Sequence, residues 1–188
     1  MARHAREELA LERVVLMPSH TPPHKPAGED PGALHRLRMC ELAVGGEDGL
    51  QACALEFERG GPSYTVDSLQ AVHDMHPNAR LTFIVGADTA RTLGSWRAPA
   101  RLLGLARLAV ATRIGSGREQ VLDTVAQVSG AAAADDVRFL EMAPVEASSS
   151  GVRERVARGE PVAELVGAAV AQYIAEHGLY GAARGAER

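Results

Sequence analysis

Apolar residues along this chain fall into short continuous runs that alternate with stretches of helical spacing. Residues 3–11 read as the back half of a helix, with no Ser, Thr, Asp or Asn before Ala2 to satisfy the free amides of a first turn. Arg13-Val-Val-Leu-Met-Pro18 follows as a short run of buried-strand type. Prolines at 22, 23 and 26 impose a loop between Ser19 and Gly28. A helix from about Gly32 to Ala43 carries Leu34, Leu37, Leu42 and Ala43 as its apolar stripe, and Leu50 to Phe57 reads as a strand. Gly60-Gly-Pro-Ser-Tyr-Thr65 then turns the chain into a helix with Val66, Leu69, Val72 and Met75 at intervals of three. Ser63 or Thr65 is expected to cap that helix, Asp67 favours its first turn, and His76-Pro-Asn ends it.

Leu81-Thr-Phe-Ile-Val85 is the clearest buried strand, and it runs into Gly86-Ala-Asp88, which places a carboxylate at a strand's C-terminal end. A helix over Ala100 to Leu105 and a strand over Leu108 to Ala111 come next. The Gly- and Ala-rich stretch 114–136 predicts one helix from Glu119 to Val128, followed by a strand over Val137 to Met142. Ser148-Ser-Ser-Gly begins a short helix. The last helix, Ala163 to His177, is stopped by Gly178, with Leu179 available for the hydrophobic contact that such a stop makes. Strands alternating with helices predict parallel βαβ units in a Rossmann-like, doubly wound α/β sheet that binds ligands beyond the C-terminal ends of its strands. The polar segments after Pro18, Val85 and Val145 are then expected to share one rim. A length of 188 residues predicts one domain, residues 1–180, with 181–188 as a disordered tail.

Composition narrows the chemistry. Lys+Arg 20 against Asp+Glu 24 gives a net charge of -4, without the basic field that holds a nucleic-acid backbone, so no nucleic-acid partner is expected. Cys40 and Cys53 form no metal-type cluster, and no protein-bound metal site is predicted. No apolar run approaches the roughly 20 residues that span a bilayer, and the polar start is unlike a signal peptide, which predicts a cytoplasmic protein without membrane contact.

Four places could carry a reaction. Ser148-Ser-Ser-Gly-Val-Arg153 gathers hydroxyls, helix-start amides and a guanidinium at one spot, which suits an oxygen of a triphosphate; a plain serine cap beside an exposed Arg accounts for the same residues. Thr21-Pro-Pro-His24-Lys25 could hold an imidazole and an ammonium over a phosphate, or form an ordinary surface turn. Trp96 could stack on a heteroaromatic ring or sit half-buried in a core. Asp88 could meet Mg²⁺ or a ribose hydroxyl, or cap the helix that follows.

Taken in order, Pro-Pro-His24-Lys25, His35-Arg36, Gly-Pro-Ser-Tyr64-Thr65-Val-Asp67, Phe-Ile-Val-Gly86-Ala-Asp88, Trp96, Ser-Ser149-Ser150-Gly-Val-Arg153 and Tyr-Ile-Ala-Glu-His-Gly-Leu-Tyr180 strongly resemble the bacterial nicotinate-nucleotide adenylyltransferases. The resemblance runs from about residue 5 to residue 180. The Ser-Tyr-Thr-Val-Asp, Gly-Ala-Asp and Trp segments are those specific to the family. The Ser-Ser-x-x-x-Arg pattern belongs to its wider nucleotidyltransferase superfamily. By that resemblance Thr65, with Tyr64 beside it, lies at a nicotinate carboxylate pocket, Trp96 near the pyridine ring, and Gly86 and Asp88 against the nucleotide. His24 and Lys25 approach the phosphates, and Ser149, Ser150 and Arg153 form the ATP-phosphate site, with Ser150 replacing the usual Thr. The implied substrates are ATP, carried with Mg²⁺, and nicotinate mononucleotide. Nicotinamide mononucleotide or phosphopantetheine is the alternative acceptor, and a homo-oligomer is compatible with the resemblance.

One departure is large. The family opens with a strand, a Gly-rich phosphate loop and a His-x-Gly-His signature, none of which is in this chain, so the catalytic residues are not assigned. The missing strand is expected between those of Val14 and Phe83, and the start codon is expected to lie upstream. A catalytically inactive, nucleotide-binding remnant is the reading outside the enzyme class.

Overall fold

In the computed structural model, residues 1–21, 30–113, 117–142 and 148–181 are described. The first half runs α1 (Ala2–Glu8), β1 (Val14–Leu16), α2 (Ala33–Val44), β2 (Leu50–Ala52), α3 (Leu55–Arg59), α4 (Thr65–Met75), β3 (Thr82–Gly86) and α5 (Ala87–Ala90). The second half runs α6 (Pro99–Leu105), β4 (Arg107–Arg113), α7 (Arg118–Ser129), α8 (Ala131–Asp135), β5 (Arg138–Met142), α9 (Ser149–Ala157), α10 (Ala163–Val166) and α11 (Ala168–Glu176). All the strand pairings are parallel, in the order β1-β2 in one sheet and β3-β4-β5 in another, which is the predicted α/β class. The strands of Val14 and Phe83, expected to flank a further strand, lie in different sheets, and among the described residues each pairs on one side only.

The chain divides into two compact units. Unit 1 comprises Met1–Leu11 and Ser63–Pro144. Its sheet is covered on both faces because β4 is apolar on both: Leu108 and Val110 meet Val66, Leu102, Val121 and Val125 from the helices α4, α6 and α7, while Ala109 meets Ala5 of α1. That two-sided burial is why β4 reads as a continuous apolar run, Leu108 to Ala111, in the sequence. Unit 2 comprises Glu12–Pro62 and Val145–Arg188. Here α2 links β1 to β2 in the register Val14↔Leu50 to Leu16↔Ala52, and a separate core forms from Val156, Val162, Val170, Ile174 and Leu179, with Met39 and Leu42 of α2 against it.

Several expectations change in the structure. Only Leu50–Ala52 is strand; Leu55–Arg59 turns into a helix, because the pairing with β1 ends at Leu16↔Ala52 and leaves the later residues no ladder to join. The last helix is two, broken by Gly167 at φ 86, a left-handed value that glycine takes without a steric penalty. Gly178, at φ 58, stops α11 as predicted, and Leu179 is buried beside it. On α2, Leu34 is 75% exposed and Ala43 also faces outward, so the side meeting the core is that of Met39 and Leu42; Met75 likewise lies outside the stripe of α4. Neither Ser63 nor Thr65 caps α4: the N-cap residue is Tyr64, and the helix starts without a side-chain cap. Gly130 separates α7 from a further helix, α8, inside the stretch read as one helix. Of the expected tail, 181–188, Gly181 ends a short turn after Leu179, and 182–188 lie outside the described residues.

Candidate active site

Two groups of candidate residues form, one in each unit. In unit 1 the residues expected around an acceptor ring lean on the core. Tyr64, Phe83 and Trp96 all pack against the cluster built on Val66, Leu93 and Leu102. The rings of Phe83 and Trp96 meet edge-on at a centroid distance of 6.0 Å, and the indole N–H donates to the Thr92 hydroxyl at 3.0 Å. Trp96 is therefore half-buried against the core, with part of its surface still accessible. Thr65 begins α4, where the first-turn amides have no side-chain cap to occupy them. Ser68 donates to the Tyr64 carbonyl at 3.3 Å and so closes that turn from inside.

Gly86 ends β3 and starts α5. An added Cβ at Gly86 would meet nothing within 4 Å, so its backbone faces space that a ligand can enter. Asp88 does not cap α5. Its carboxylate is 94% exposed and accepts a hydrogen bond from Arg91 on the next turn. Arg91 in turn passes so close to Gly117 that a Cβ there would come within 2.9 Å of its guanidinium.

Unit 2 holds the serine-rich start of α9. Ser148 is a true N-cap, its Oγ accepting from the Gly151 N–H at 3.0 Å. Ser149 and Ser150 stand exposed, and the Arg153 guanidinium donates to Ser150 Oγ at 3.1 Å. The serine cap and the hydroxyl–guanidinium group are thus both real, carried by different serines. Ser150 and Arg153 open onto a cleft of about 550 Å³ that is also lined by Asp30 and Tyr180. Tyr180 sits at φ 56 and ψ 28, a left-handed backbone position that costs a non-glycine residue about 1 kcal/mol. Burial pushes its phenol above the ordinary value, with the positive charge of Arg153 pulling the other way.

Asp30, which lines the cleft, is held by Arg36. Its Nε donates to Asp30 Oδ1 at 3.0 Å, while its terminal nitrogens donate to the carbonyls of Ser19 and, at 3.0 Å, His20. One guanidinium so joins the end of β1's loop to the residue that precedes α2. His24 and Lys25 fall between those anchors and lie outside the described residues. Nearby in the same unit, His35 Nδ1 lies 2.8 Å from the Tyr173 hydroxyl, and the Tyr173 and His177 rings stack 4.0 Å apart. That group ties α2 to α11.

The sequence reading missed three residues. Arg97 was overlooked beside Trp96; its guanidinium lies 4.6 Å over the Tyr64 ring. No local pattern marks Arg36 or Tyr180, since their partners are distant in the chain. Among the described residues no three His, Cys, Asp or Glu side chains converge as a metal site, and no helix is long and apolar enough to cross a membrane.

A cytidylyltransferase-like family model matches residues 1–155. A relative from Thermomicrobium roseum described as "Probable nicotinate-nucleotide adenylyltransferase" is 38% identical over 181 residues, which is 96% of this chain and 83% of the relative. A protein from Bordetella petrii with the same description is 38% identical, covering 96% of this chain and 89% of its own length. The fold is shared with the Plasmodium falciparum nicotinic acid mononucleotide adenylyltransferase complexed with NaAD, at a TM-score of 0.68, 15% identity and coverage of 90% of this chain and 83% of that one. With the Ser-Tyr-Thr and Trp segments gathered on one core and the Ser-x-x-Arg pair open at the start of α9, the chain belongs to the cytidylyltransferase-like family and, within it, to the nicotinate-nucleotide adenylyltransferases.

Proposed function

We propose that this protein transfers the adenylyl group of ATP to nicotinate mononucleotide, forming nicotinate adenine dinucleotide and releasing pyrophosphate, the adenylyl-transfer step of NAD biosynthesis. The observation that carries this reading is the assembly of Tyr64, Trp96 and Phe83 on one core cluster, with Thr65 at the open start of α4. An aromatic wall beside a hydroxyl and uncapped amides matches a flat ring that bears a carboxylate. In the reaction an oxygen of the acceptor phosphate attacks the α-phosphorus of ATP, and the bond to the β-phosphate oxygen breaks with its electron pair leaving on pyrophosphate.

The chain's own part is to position and to neutralise. Arg153 and Ser150, with Ser149, hold triphosphate oxygens, for which the guanidinium exchanges its present hydroxyl partner for a charged one. His24 and Lys25 add cationic contact to the same phosphates, and Gly86 and Asp88 lie against the nucleotide. Mg²⁺ carried with ATP would supply charge neutralisation to the leaving pyrophosphate. We place the reaction in the cytoplasm, in keeping with two cysteines that form no disulfide.

The test is direct. Purified protein is incubated with ATP, Mg²⁺ and, in separate reactions, nicotinate mononucleotide, nicotinamide mononucleotide or phosphopantetheine, with product mass and pyrophosphate followed together. Nicotinate adenine dinucleotide as the main product supports the assignment. Preferred use of another acceptor replaces it, and ATP binding without pyrophosphate release under any acceptor identifies a nucleotide-binding remnant.

A further inference from the structure

Nicotinate and nicotinamide mononucleotide are nearly identical in shape and differ at one substituent, a carboxylate in one and a carboxamide in the other. Shape alone discriminates poorly between such isosteres, whereas a buried or half-buried charge discriminates well. The hydroxyl of Thr65 is ambivalent here, because it donates to a carboxylate oxygen and accepts equally from a carboxamide N–H. A group that only donates and carries a positive charge is needed.

Arg97 is such a group, and its position is fixed by residues on either side of Thr65. Its Cζ lies 4.6 Å from the centre of the Tyr64 ring, and its Nη1 lies 3.9 Å from Asp67 Oδ2. Stacking on an aromatic face orients the guanidinium while leaving its N–H edges outward. The Asp67 contact is at the outer limit of an ion pair, and the Arg97 side chain is 58% exposed against 31% for Asp67. The cation is thus held in place by a ring without being saturated by its carboxylate partner. Arg97 also directly follows Trp96, the residue set to face the pyridine ring.

We infer that Arg97 is the specificity-determining residue for the acceptor's ring substituent, selecting a carboxylate over a carboxamide. The inference rests on the function proposed above. It adds that the preference comes from the side-chain charge held over the Tyr64 ring rather than from Thr65 alone.

Binding and turnover of both mononucleotides are measured for the wild type, Arg97→Gln and Arg97→Lys, with thermal unfolding of each as a folding control. Loss of a charge-assisted contact is expected to raise the KM and Kd for nicotinate mononucleotide about tenfold in Arg97→Gln, and to lower the preference for nicotinate over nicotinamide by the same factor. Arg97→Lys keeps the charge and restores part of the preference. Raising the salt concentration erodes the wild-type preference, as it must for a half-exposed ion pair. A preference unchanged within twofold in Arg97→Gln, at unchanged thermal stability, overturns the inference and leaves the proposed function standing. Binding of nicotinate mononucleotide that depends on Arg97 but leads to no adenylyl transfer has the opposite meaning. A wild type that binds neither mononucleotide removes both.

Discussion

The two groups of candidate residues are held in place by different forces. In unit 1, Tyr64 and Trp96 are wedged against a hydrocarbon core, and even the neighbouring cation is steadied by a ring. In unit 2, Ser148 accepts from the Gly151 N–H and Arg153 donates to Ser150, polar bonds at an exposed helix start. Apolar packing is unaffected when a ligand arrives, so the first group is set in advance. Polar bonds can be traded, so the second group gives up internal partners for those of the ligand. This difference predicts that damage to unit 1 lowers stability and acceptor binding together, whereas damage at the start of α9 separates catalysis from stability.

The largest effect is expected from Arg153→Ala. Removing a charged group that stabilises phosphoryl oxygens lowers kcat/KM for ATP about 100-fold, while the thermal midpoint moves little, as expected where Arg153 donates to Ser150 at an exposed helix start. Steady-state kinetics alongside calorimetric melting check this, and a collapse of stability would erase the contrast between the units. Next in size is Trp96→Ala. Loss of the packed indole is expected to cost about 2–3 kcal/mol in denaturant unfolding and to raise the acceptor KM in the same variant. An acceptor defect at full stability would show that the indole serves the ligand and not the core.

Ser148→Ala comes third. It removes the one side-chain cap on α9 and should cost about 1 kcal/mol, read from chemical unfolding, with kcat/KM for ATP altered far less than by Arg153→Ala. The smallest effect concerns alkaline pH. Burial holds the Tyr180 phenol above its ordinary value of 10.0, so above pH 10 the unfolded chain loses this proton more readily than the folded one. Stability from this group is therefore intact below pH 10 and declines as pH rises through the folded-state value. Tyr180→Phe should flatten that part of the stability curve, and an unchanged slope would assign it to other groups.

How much of this was legible in the sequence varied with the range of the forces involved. The strand β4 was legible because burial on both faces leaves an unbroken apolar run. The Ser148 cap was legible because its partner, Gly151, is three residues away. The helix at Leu55–Arg59 was not, because Leu50 to Phe57 is a mostly apolar stretch and only the end of pairing with β1 decides where the strand stops. The outward face of Leu34 was hidden for a similar reason: helical spacing offers several stripes, and the core formed by Val156, Val170 and Ile174 selects the one with Met39 and Leu42.

The sequence by itself determined the α/β alternation, the stops at Gly178 and His76, and the identity of the groups available for phosphate and carboxylate chemistry. These depend on backbone preferences and hydrogen bonds that act within a few residues. Tertiary structure alone decided that Arg36 joins Ser19 and His20 to Asp30, that Tyr180 shares a cleft with Arg153, and that Arg97 lies over Tyr64. Each of these contacts links residues far enough apart in the chain that only the packing of whole elements brings them within reach, and a long flexible side chain such as arginine carries no local signal of where its charge will rest.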